Sequence, residues 1–436
     1  MKNKKTLVII SMCIAMVIIA CLLSACEPKD QHIHTFGEWV SDDTSHWKEC
    51  DCGDIANKSD HNYTSVVTSP TVAEKGYTTH TCSECGKSYT DSYVDELSYS
   101  EGLEYEINED GKTCTITSIG TCNDKNLIIP PTINGYKVTK IGNCAFLACA
   151  ELLSVTIPDG VTIIDEYAFY KCKKLFKVTI PNSVTIIDDY AFKGCYLSSR
   201  LTIPEGVITI GKCAFYECEA LMSVIISDSV TTIGDSAFGR CHYLNDVTIG
   251  KGVTTIGETA FYFCYSLTNI TIPDSVTTIG RGAFSLCDGL ANVNIGKGVT
   301  TIGNGAFQYC YSLTNITIPD SVTTIGKEAF DSCRNLATVT ILDGVTTIGD
   351  EAFSCSGISK VTIGNRVTTI GKKAFSGCNK LVVITLPKSI NTIGEEAFNA
   401  SSLTKIYYKG TESDWNEIEI GYSNERLKSA KIDYNA

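Results

Sequence analysis

The chain has little positive charge for its length. Its 436 residues include 36 lysines and arginines against 49 aspartates and glutamates, which gives a formal net charge of -13. Surplus negative charge opposes contact with a phosphate backbone and leaves no polybasic surface for anionic lipid, so nucleic acid is excluded as an expected partner. The hydrophobic content of 43% is ample for a buried core, and we expect a folded protein.

Groups that commonly carry out catalysis are also scarce. Only one of the six histidines, His242, falls in the long repetitive part of the chain. The sequence has no nucleophile elbow, no phosphate-binding loop and no carboxylate pair in a defined setting. We therefore expect a protein that is not an enzyme, and a thiol enzyme or redox carrier is the least favoured alternative.

The N-terminus reads as an export signal. Three lysines within the first five residues precede an apolar run over 7–23. The stretch Leu23-Ser24-Ala25-Cys26 resembles the bacterial lipobox, which implies a signal peptide at 1–25, a lipid on Cys26 and an anchor linker at 26–33. An uncleaved transmembrane helix is the alternative, because the apolar run is about long enough to span a bilayer. Either interpretation places the body of the protein outside the cytoplasm.

An Ala-Phe pair recurs twelve times along the rest of the chain. Every step between its phenylalanines is 23 residues except one of 22, and twelve of the fifteen phenylalanines occupy this position. Such a period is the signature of a stacked repeat, or solenoid. The phenylalanines are Phe146, Phe169, Phe192, Phe215, Phe238, Phe261, Phe284, Phe307, Phe330, Phe353, Phe375 and Phe398.

One repeat, LTNITIPDSVTTIGRGAFSLC, shows how a coil is built. Residues 267–272 alternate apolar and polar side chains as a short strand, and 276–279 form a second extended piece. A corner at Gly280 leads into a short helical or irregular turn that points Phe284 and Cys287 inward. One coil cannot bury its own apolar residues, so the sequence predicts a β-rich solenoid of twelve parallel coils.

The repeated pattern L-x-x-V/I-T-I-P-x-S-V-T-T-I-G-x-x-A-F-x-x-C resembles the leucine-rich repeats of BspA-type bacterial surface lipoproteins, in their Treponema variety. This resemblance implies an N-terminal β cap at 95–126, a solenoid at 127–406 and a C-terminal cap at 407–436. It also implies a cell-surface binding scaffold for adhesion to host or microbial macromolecules, with an extracellular protein or glycan as its ligand. A glycan-binding lipoprotein of the cell envelope is the alternative.

A cysteine recurs in register with the phenylalanines. Bridges between rungs are disfavoured, because equivalent Cβ atoms would lie about 4.8 Å apart, beyond the usual range of about 3.5–4.5 Å. The apolar setting also offers a metal no partners. The sequence therefore predicts packing by free thiols, with Ser401 ending the series. The ladder comprises Cys149, Cys172, Cys195, Cys218, Cys241, Cys264, Cys287, Cys310, Cys333, Cys355 and Cys378.

A small module at 34–94 differs in composition and is rich in cysteine and histidine. Its Cys-x-Cys-Gly and Cys-x-x-Cys-Gly motifs resemble the knuckles of zinc ribbons, and two thiolates held by a tight turn suit tetrahedral zinc. A small module gains folding energy from such a metal. Disulfides and free thiols are the alternatives. The candidate ligands of a structural zinc ion are Cys50, Cys52, Cys82, Cys85, His46 and His61.

Outward-facing positions of the repeats are the candidate binding face. One polar strand position forms a column of threonines and asparagine, and tyrosines cluster near the turns. Threonine also favours exposed strands, and the tyrosines also suit packing between turns, so structural roles are the alternative. The candidate residues are Thr248, Thr271, Asn294, Thr317, Thr340, Tyr262, Tyr265, Tyr309 and Tyr311.

Overall fold

The computed structural model describes residues 33–68, 74–94, 98–198 and 200–436. They form two compact units, one ending at Ser98 and the other beginning at Tyr99. The predicted signal peptide, the alternative transmembrane helix and Cys26 lie outside the described residues. Within the described ranges, no helix is long and apolar enough to cross a membrane.

The first unit contains two antiparallel sheets of three strands each, with the strands in chain order. Turns that contain Gly53 and Gly86 connect the second and third strands of each sheet, and both glycines have positive φ angles, of 87° and 73°. Only a residue without a Cβ adopts this backbone readily. The strands are β1 (Phe36–Ser41), β2 (Ser45–Cys50), β3 (Ile55–Asp60), β4 (Tyr63–Thr68), β5 (Gly76–Cys82) and β6 (Ser88–Val94).

The second unit opens with a short β cap. Its first two strands form an antiparallel hairpin, and the second of them then pairs in parallel with the last. The hairpin thereby covers one end of the stack with hydrogen-bonded backbone, as a solenoid cap must. The strands are β7 (Glu104–Ile107), β8 (Thr113–Ser118), β9 (Asn126–Ile128), β10 (Thr132–Ile133) and β11 (Tyr136–Ile141).

Each coil of the solenoid contributes two short strands. The first strand alternates exposed and buried residues, and the second ends in a buried isoleucine. The first strands are β12 (Ser154–Thr156), β14 (Lys177–Thr179), β16 (Arg200–Ile203), β18 (Ser223–Ile226), β20 (Asp246–Thr248), β22 (Asn269–Ile272), β24 (Asn292–Ile295), β26 (Asn315–Ile318), β28 (Thr338–Ile341), β30 (Lys360–Thr362) and β32 (Val383–Leu386). The second strands are β13 (Ile163–Ile164), β15 (Ile186–Ile187), β17 (Thr209–Ile210), β19 (Thr232–Ile233), β21 (Thr255–Ile256), β23 (Thr278–Ile279), β25 (Thr301–Ile302), β27 (Thr324–Ile325), β29 (Thr347–Ile348), β31 (Thr369–Ile370) and β33 (Thr392–Ile393).

The C-terminal cap continues the stack. Trp415 packs edge-on against buried Tyr408 at 5.2 Å between ring centroids, which covers the last coil. Thr411 caps the first helix and exchanges hydrogen bonds with Asp414. The elements are β34 (Lys405–Tyr408), α1 (Glu412–Asn416), β35 (Glu419–Ile420), α2 (Glu425–Ser429) and β36 (Lys431–Tyr434).

The two strand layers differ in continuity. The second strands form one unbroken parallel sheet from β8 through β11 and β13 to β35, fourteen parallel strands in all. Twelve of these strands, β11 to β33, belong to the twelve coils counted from Ala-Phe pairs, and β8 and β35 add one strand at each end. The first strands instead form separate small sheets. Three of these sheets lie in the middle of the solenoid: β16-β18-β20, β22-β24 and β26-β28-β30.

Stacked phenylalanines form the centre of the solenoid. Their rings lie nearly parallel in successive coils, with centroids 4.9 Å apart at Phe146–Phe169 and 5.4 Å apart at Phe375–Phe398. The alanine before each ring is also buried. The predicted parallel solenoid is thus confirmed, with each coil completing the core of its neighbours.

The turns before the first strands are irregular, which is one of the two forms predicted. Each has residues with positive φ, such as Thr259 at 51° and Phe263 at 60°. The N–H of Phe261 donates to the carbonyl of Ala283 in the next coil at 2.8 Å. Hydrogen bonds between coils thus alternate with local ones, such as the bond from the N–H of Tyr262 to the carbonyl of Thr259 at 3.0 Å.

The cysteine ladder packs as predicted, except at Cys355. Cys355 is exposed, whereas Ser356 is buried and its hydroxyl donates to the carbonyl of Phe330 at 2.7 Å. The 22-residue step leaves Cys355 only two residues after Phe353, so Ser356 reaches the buried position three residues after it. The prediction was wrong at this rung. At the first rung, Cys149 is half-buried.

Candidate functional site

The exposed side chains of the first strands form two parallel columns, which we call the strand face. One column contains Asp246, Asn269 and Asn292, and the other contains Thr271 and Asn294. Strands alternate their side chains, so both columns point away from the core. The Nδ2 of Asn292 donates to the Oδ1 of Asn269 at 2.7 Å, which ties neighbouring coils together.

A groove of about 780 Å³ lies on the strand face between β20 and β22. Among the described residues, no backbone ladder joins these two strands, whereas β22 pairs with β24 in register. The groove floor includes apolar residues of both strands, and its rim carries Asp246, Asn269 and Lys251. The layer is also interrupted between β14 and β16, between β24 and β26 and between β30 and β32, and the interruption at β20 and β22 coincides with this concave surface.

Three of the predicted binding residues line this groove: Thr248, Thr271 and Asn294. Thr317 is exposed further along the same column, and Thr340 is partly buried. Sequence reasoning missed the other column, although the same alternation of exposed and buried residues indicates it. The structure therefore places the strand-face candidates together without testing whether they bind.

Two other polar groups at the groove have structural partners. The Asp274 carboxylate accepts a hydrogen bond from the backbone N–H of Lys297 at 2.7 Å. The Ser275 hydroxyl donates to the carbonyl of Val253, also at 2.7 Å. Both contacts join adjacent coils, so these residues stabilise the stack.

Threonines beside the second strands are likewise used in stacking. The hydroxyl of Thr254 donates to the carbonyl of Thr231 at 3.2 Å, and Thr277 donates to Thr254 in the same way at 3.3 Å. These threonines therefore have the structural role that was the alternative to a binding role. This role favours the strand face over the second layer as a binding surface.

The predicted tyrosines lie on the turns, apart from the groove. Tyr262 contacts Phe263 at 4.3 Å between ring centroids, and Phe263 contacts Tyr265 at 5.1 Å. Arg240 lies over the ring of Phe263 at 5.5 Å. Tyr265 is 38% exposed. These aromatic residues pack against one another, as the structural alternative proposed.

A second aromatic pair occurs two coils later. Tyr309 and Tyr311 are 6.2 Å apart between ring centroids, and Arg334 lies over Tyr311 at 5.2 Å. Both tyrosines are partly buried. The structure therefore separates the candidate binding residues into a strand-face group and a turn group.

The ladder thiols are held protonated. Burial raises the pKa of Cys264 to about 12, and its S–H donates to the carbonyl of Phe238 at 3.3 Å. The equivalent contact joins Cys287 to Phe261 at 3.2 Å. A thiol rather than a thiolate is a poor nucleophile and metal ligand. The ladder thus contributes packing and weak hydrogen bonds.

Four of the six predicted zinc ligands come together in the first unit. The ligand atoms of His46, His61, Cys82 and Cys85 all lie within 4.8 Å of one another. The Sγ of Cys85 is 3.4 Å from Nδ1 of His61, and the Sγ of Cys82 is 3.7 Å from Nδ1 of His46. Two thiolates and two imidazoles are a usual donor set for tetrahedral zinc.

Outer contacts orient both imidazoles of this group. Nε2 of His46 lies 2.9 Å from the Ser59 hydroxyl and 3.1 Å from the Glu84 carboxylate, while Nε2 of His61 lies 3.0 Å from the Asp42 carbonyl. An N–H at Nε2 directs the Nδ1 lone pair toward the thiols. Such contacts commonly fix the tautomer of a metal-binding histidine.

The Cys82 thiol is prepared for ionisation. Burial acts to raise its pKa, but hydrogen bonds from the N–H of Cys85, from His61 and from the N–H of Glu84 outweigh burial and lower the pKa to about 6. The hydrogen bond with Cys82 raises the pKa of His61 in turn. A thiolate near neutral pH is the form that binds metal.

The other two predicted ligands lie elsewhere. Cys50 and Cys52 form a separate group with His34, a residue that sequence reasoning did not select. The six predicted ligands are therefore not brought to one point. A predicted hairpin of β1 and β2 could have revealed His34 as a ligand, because this residue lies just before β1 and therefore opposite the turn that follows β2.

The parallel coils, their stacked core and their polar strand face define a leucine-rich-repeat solenoid, a class that presents extended binding surfaces. The BspA type Leucine rich repeat region (6 copies) matches residues 119–238, 208–314 and 300–418. The chain belongs to this BspA-type family. No curated protein matches the sequence significantly.

Solved structures of bacterial proteins are similar to this chain, and the first of them shares its fold. A leucine-rich repeat protein from Bacteroides ovatus is 24% identical with a TM-score of 0.57, and the match covers 78% of this chain and 100% of that one. A leucine rich cell surface protein from Faecalibacterium prausnitzii is 30% identical with a TM-score of 0.48, covering 76% and 98%. The T. pallidum leucine rich repeat protein is 24% identical with a TM-score of 0.39, covering 50% and 91%.

Proposed function

We propose that the protein is a cell-surface binding scaffold that mediates adhesion by holding an extracellular macromolecule on its strand face. The groove between β20 and β22 carries this proposal, because it joins an apolar floor to a rim of amides, hydroxyls and charges. The columns repeat at about 4.8 Å, the spacing of parallel strands, which suits an extended polymer. A match to a family of scaffold proteins supports a role without catalysis.

The first test places bulk and charge in the groove. Thr271→Lys is expected to weaken binding of the full chain to its target at least tenfold, which corresponds to about 1.4 kcal/mol. Thr271 is exposed at the centre of the lining, so the substitution should not disturb the core. The measurement is binding to immobilised extracellular matrix proteins and to a glycan array.

Thr362→Lys is the matched control, because Thr362 is exposed in the same column but lies outside the groove. Its binding is expected to equal that of the unmodified chain. Equal binding by both variants, on any probe that the unmodified chain binds, would remove the groove from the proposal. Turnover of a thiol substrate with no binding to any probe would contradict the scaffold itself.

Glycan binding is the second candidate function. The uncharged side chains of Asn269, Thr271 and Asn294 around the groove favour it, since amides and hydroxyls pair well with sugar hydroxyls. The same pair of variants distinguishes the candidates. A Thr271→Lys defect confined to the glycan array would select a glycan, and one confined to matrix proteins would select a protein ligand.

A lipid anchor on Cys26 is part of the proposal and would place the scaffold outside the cytoplasm, on the bacterial membrane or cell surface. The lipobox resemblance of residues 23–26 supports it. The unmodified chain should incorporate radiolabelled fatty acid when expressed in bacteria, and a Cys26→Ser chain should not. Equal labelling of the two chains, or no labelling of either, would contradict lipidation of Cys26.

We also propose that the group of His46, His61, Cys82 and Cys85 holds a structural zinc ion. Cys85→Ser is expected to remove one zinc ion per chain and to lower the melting temperature of the first unit, because binding energy of the metal contributes to folding. Elemental analysis with circular dichroism provides the measurement. Cys144→Ser is the control, since Cys144 is exposed and belongs to neither group of candidate ligands.

Zinc content equal to that of the unmodified chain in Cys85→Ser would overturn this assignment. A disulfide between Cys82 and Cys85, seen as a loss of two hydrogens by mass spectrometry, would do the same.

A further inference from the structure

A second group of metal-ligand side chains lies at the far end of β2 from His46. The ligand atoms of His34, Cys50 and Cys52 all lie within 4.8 Å of one another. The Sγ of Cys52 is 3.3 Å from Nδ1 of His34. Imidazole and thiolate groups at this separation match the donors that zinc prefers.

Strand pairing explains why these three residues meet. β1 and β2 are antiparallel with Phe36 opposite Cys50, so extending the register by two residues places His34 opposite Cys52. Cys52 lies in the turn that follows β2, and this turn brings its Sγ within 3.3 Å of Nδ1 of His34. The contact therefore follows from the hairpin together with the turn that closes it.

The turn after β2 holds the two thiols in place. The N–H of Gly53 donates to the carbonyl of Cys50 at 2.7 Å, and the N–H of Cys50 donates to the carbonyl of Asp54 at 2.8 Å. Gly53 has a positive φ of 87°, which closes the turn. This explains why a Cys-x-Cys spacing, shorter than the usual Cys-x-x-Cys knuckle, forms a compact pair of donors.

One metal ion cannot serve both groups. His46 and Cys50 are four residues apart on β2, which separates their Cα atoms by roughly 13 Å at the rise of an extended strand. The donor atoms of a bound zinc ion lie only about 2.0–2.3 Å from it. Two groups at this separation would therefore need two ions.

We infer that His34, Cys50 and Cys52, the three ligands that the described residues provide, form a second zinc site with an exchangeable ion. Three ligands leave the fourth tetrahedral position to a solvent molecule or an external donor. Cys52 is exposed, and the His34 side chain is 37% exposed, so solvent reaches this site. The Asp54 carboxylate lies 3.5 Å from Nδ1 of His34.

This arrangement predicts two zinc ions per chain that differ in exchange rate. The full-length chain, purified under reducing conditions and loaded with zinc, is mixed with excess pyridylazoresorcinol, a coloured chelator. We expect a fast release of one ion from the open site and a slow release of one ion from the more buried group that contains Cys82. Zinc content before mixing should be two ions per chain.

Variants assign the two phases. Cys52→Ser and His34→Gln are each expected to lose the fast phase and one ion while keeping the slow phase. Both side chains are at the surface, so the module should still fold, and circular dichroism checks this. Cys85→Ser should show the opposite pattern, and Cys144→Ser should retain both phases.

The outcomes separate the second site from the first. Two ions and both phases in Cys52→Ser and His34→Gln would overturn the second site. So would an unmodified chain with one ion that is lost in Cys85→Ser, or a Cys50–Cys52 disulfide detected by mass. A single fast ion that persists in Cys85→Ser would instead uphold the second site and overturn only the first.

Discussion

Phe261→Ala is expected to destabilise the solenoid by about 3–5 kcal/mol, as measured by urea unfolding followed by circular dichroism. Phe261 has no exposed surface, and its ring stacks between Phe238 at 5.4 Å and Phe284 at 5.3 Å. Its loss opens a cavity that breaks the stack on both sides. Coils are coupled only to their neighbours, so a single unfolding transition should also separate into two.

Phe263→Ala is the matched control, because it makes the same substitution two residues later. Phe263 lies on the turn, partly exposed, and contacts Tyr262 and Arg240 outside the stacked column. We expect it to cost about 1 kcal/mol or less, in line with aromatic and cation–π contacts near a surface. Equal destabilisation by the two variants would mean that the stacked column does not dominate the stability of the coils.

Raising the pH from 7 to 10 is expected to unfold the solenoid or weaken it strongly. Burial raises the pKa of Cys264 from its ordinary value of 9.0 to about 12, and burial also raises the pKa of the thiols in the adjoining rungs. A raised pKa in the folded state means that ionisation favours the unfolded chain. The stabilisation is therefore complete below pH 9 and is lost as the pH rises toward 12.

The effect is large because the rungs act together. At pH 10 each fully buried thiol should cost about 1.4 kcal/mol relative to neutral pH. Melting temperatures measured with a reductant at several pH values test this expectation. Cys264→Ser should reduce the alkaline loss of stability by the contribution of one thiol, and Ser356 shows that a hydroxyl fits the ladder position. Cys355→Ser is the control and should leave the alkaline loss unchanged, because Cys355 is exposed.

An alkaline loss of stability that is the same in Cys264→Ser and Cys355→Ser would contradict the role of the ladder. Tyrosine and lysine ionisation would then account for the change, because both groups titrate near pH 10.

The repeat fold was predictable because its signals are local and periodic. Phe261 and Cys264 recur at a fixed step, and alternation within 267–272 indicates which side chains face outward. Even the error at Cys355 was detectable. The repeat that begins at Phe353 is one residue short, and Cys355 lies two residues after this phenylalanine instead of three. Periodicity thus specifies the core and both columns of the strand face.

The candidate sites depended on relations that periodicity does not contain. His34 meets Cys52 only through the antiparallel register of β1 and β2. The groove between β20 and β22 depends on backbone spacing between coils. The near repeat of 249–280 at 295–326 has a matching interruption between β24 and β26, so the sequence pattern does not distinguish the groove from other interruptions. The left-handed residues of the turns, such as Thr259 and Phe263, also carry no glycine signal.

The two strand layers give the solenoid unequal stiffness. Separating two coils in the continuous layer breaks backbone hydrogen bonds at every step from β8 to β35, whereas separating β20 from β22 breaks no backbone ladder in the described part of the chain. The same break occurs between β14 and β16, between β24 and β26 and between β30 and β32, so a load applied along the stack is relieved first at these interruptions, one of which is the groove. A ligand that bridges β20 and β22 acts as a clamp, and it stiffens the protein at one of these interruptions.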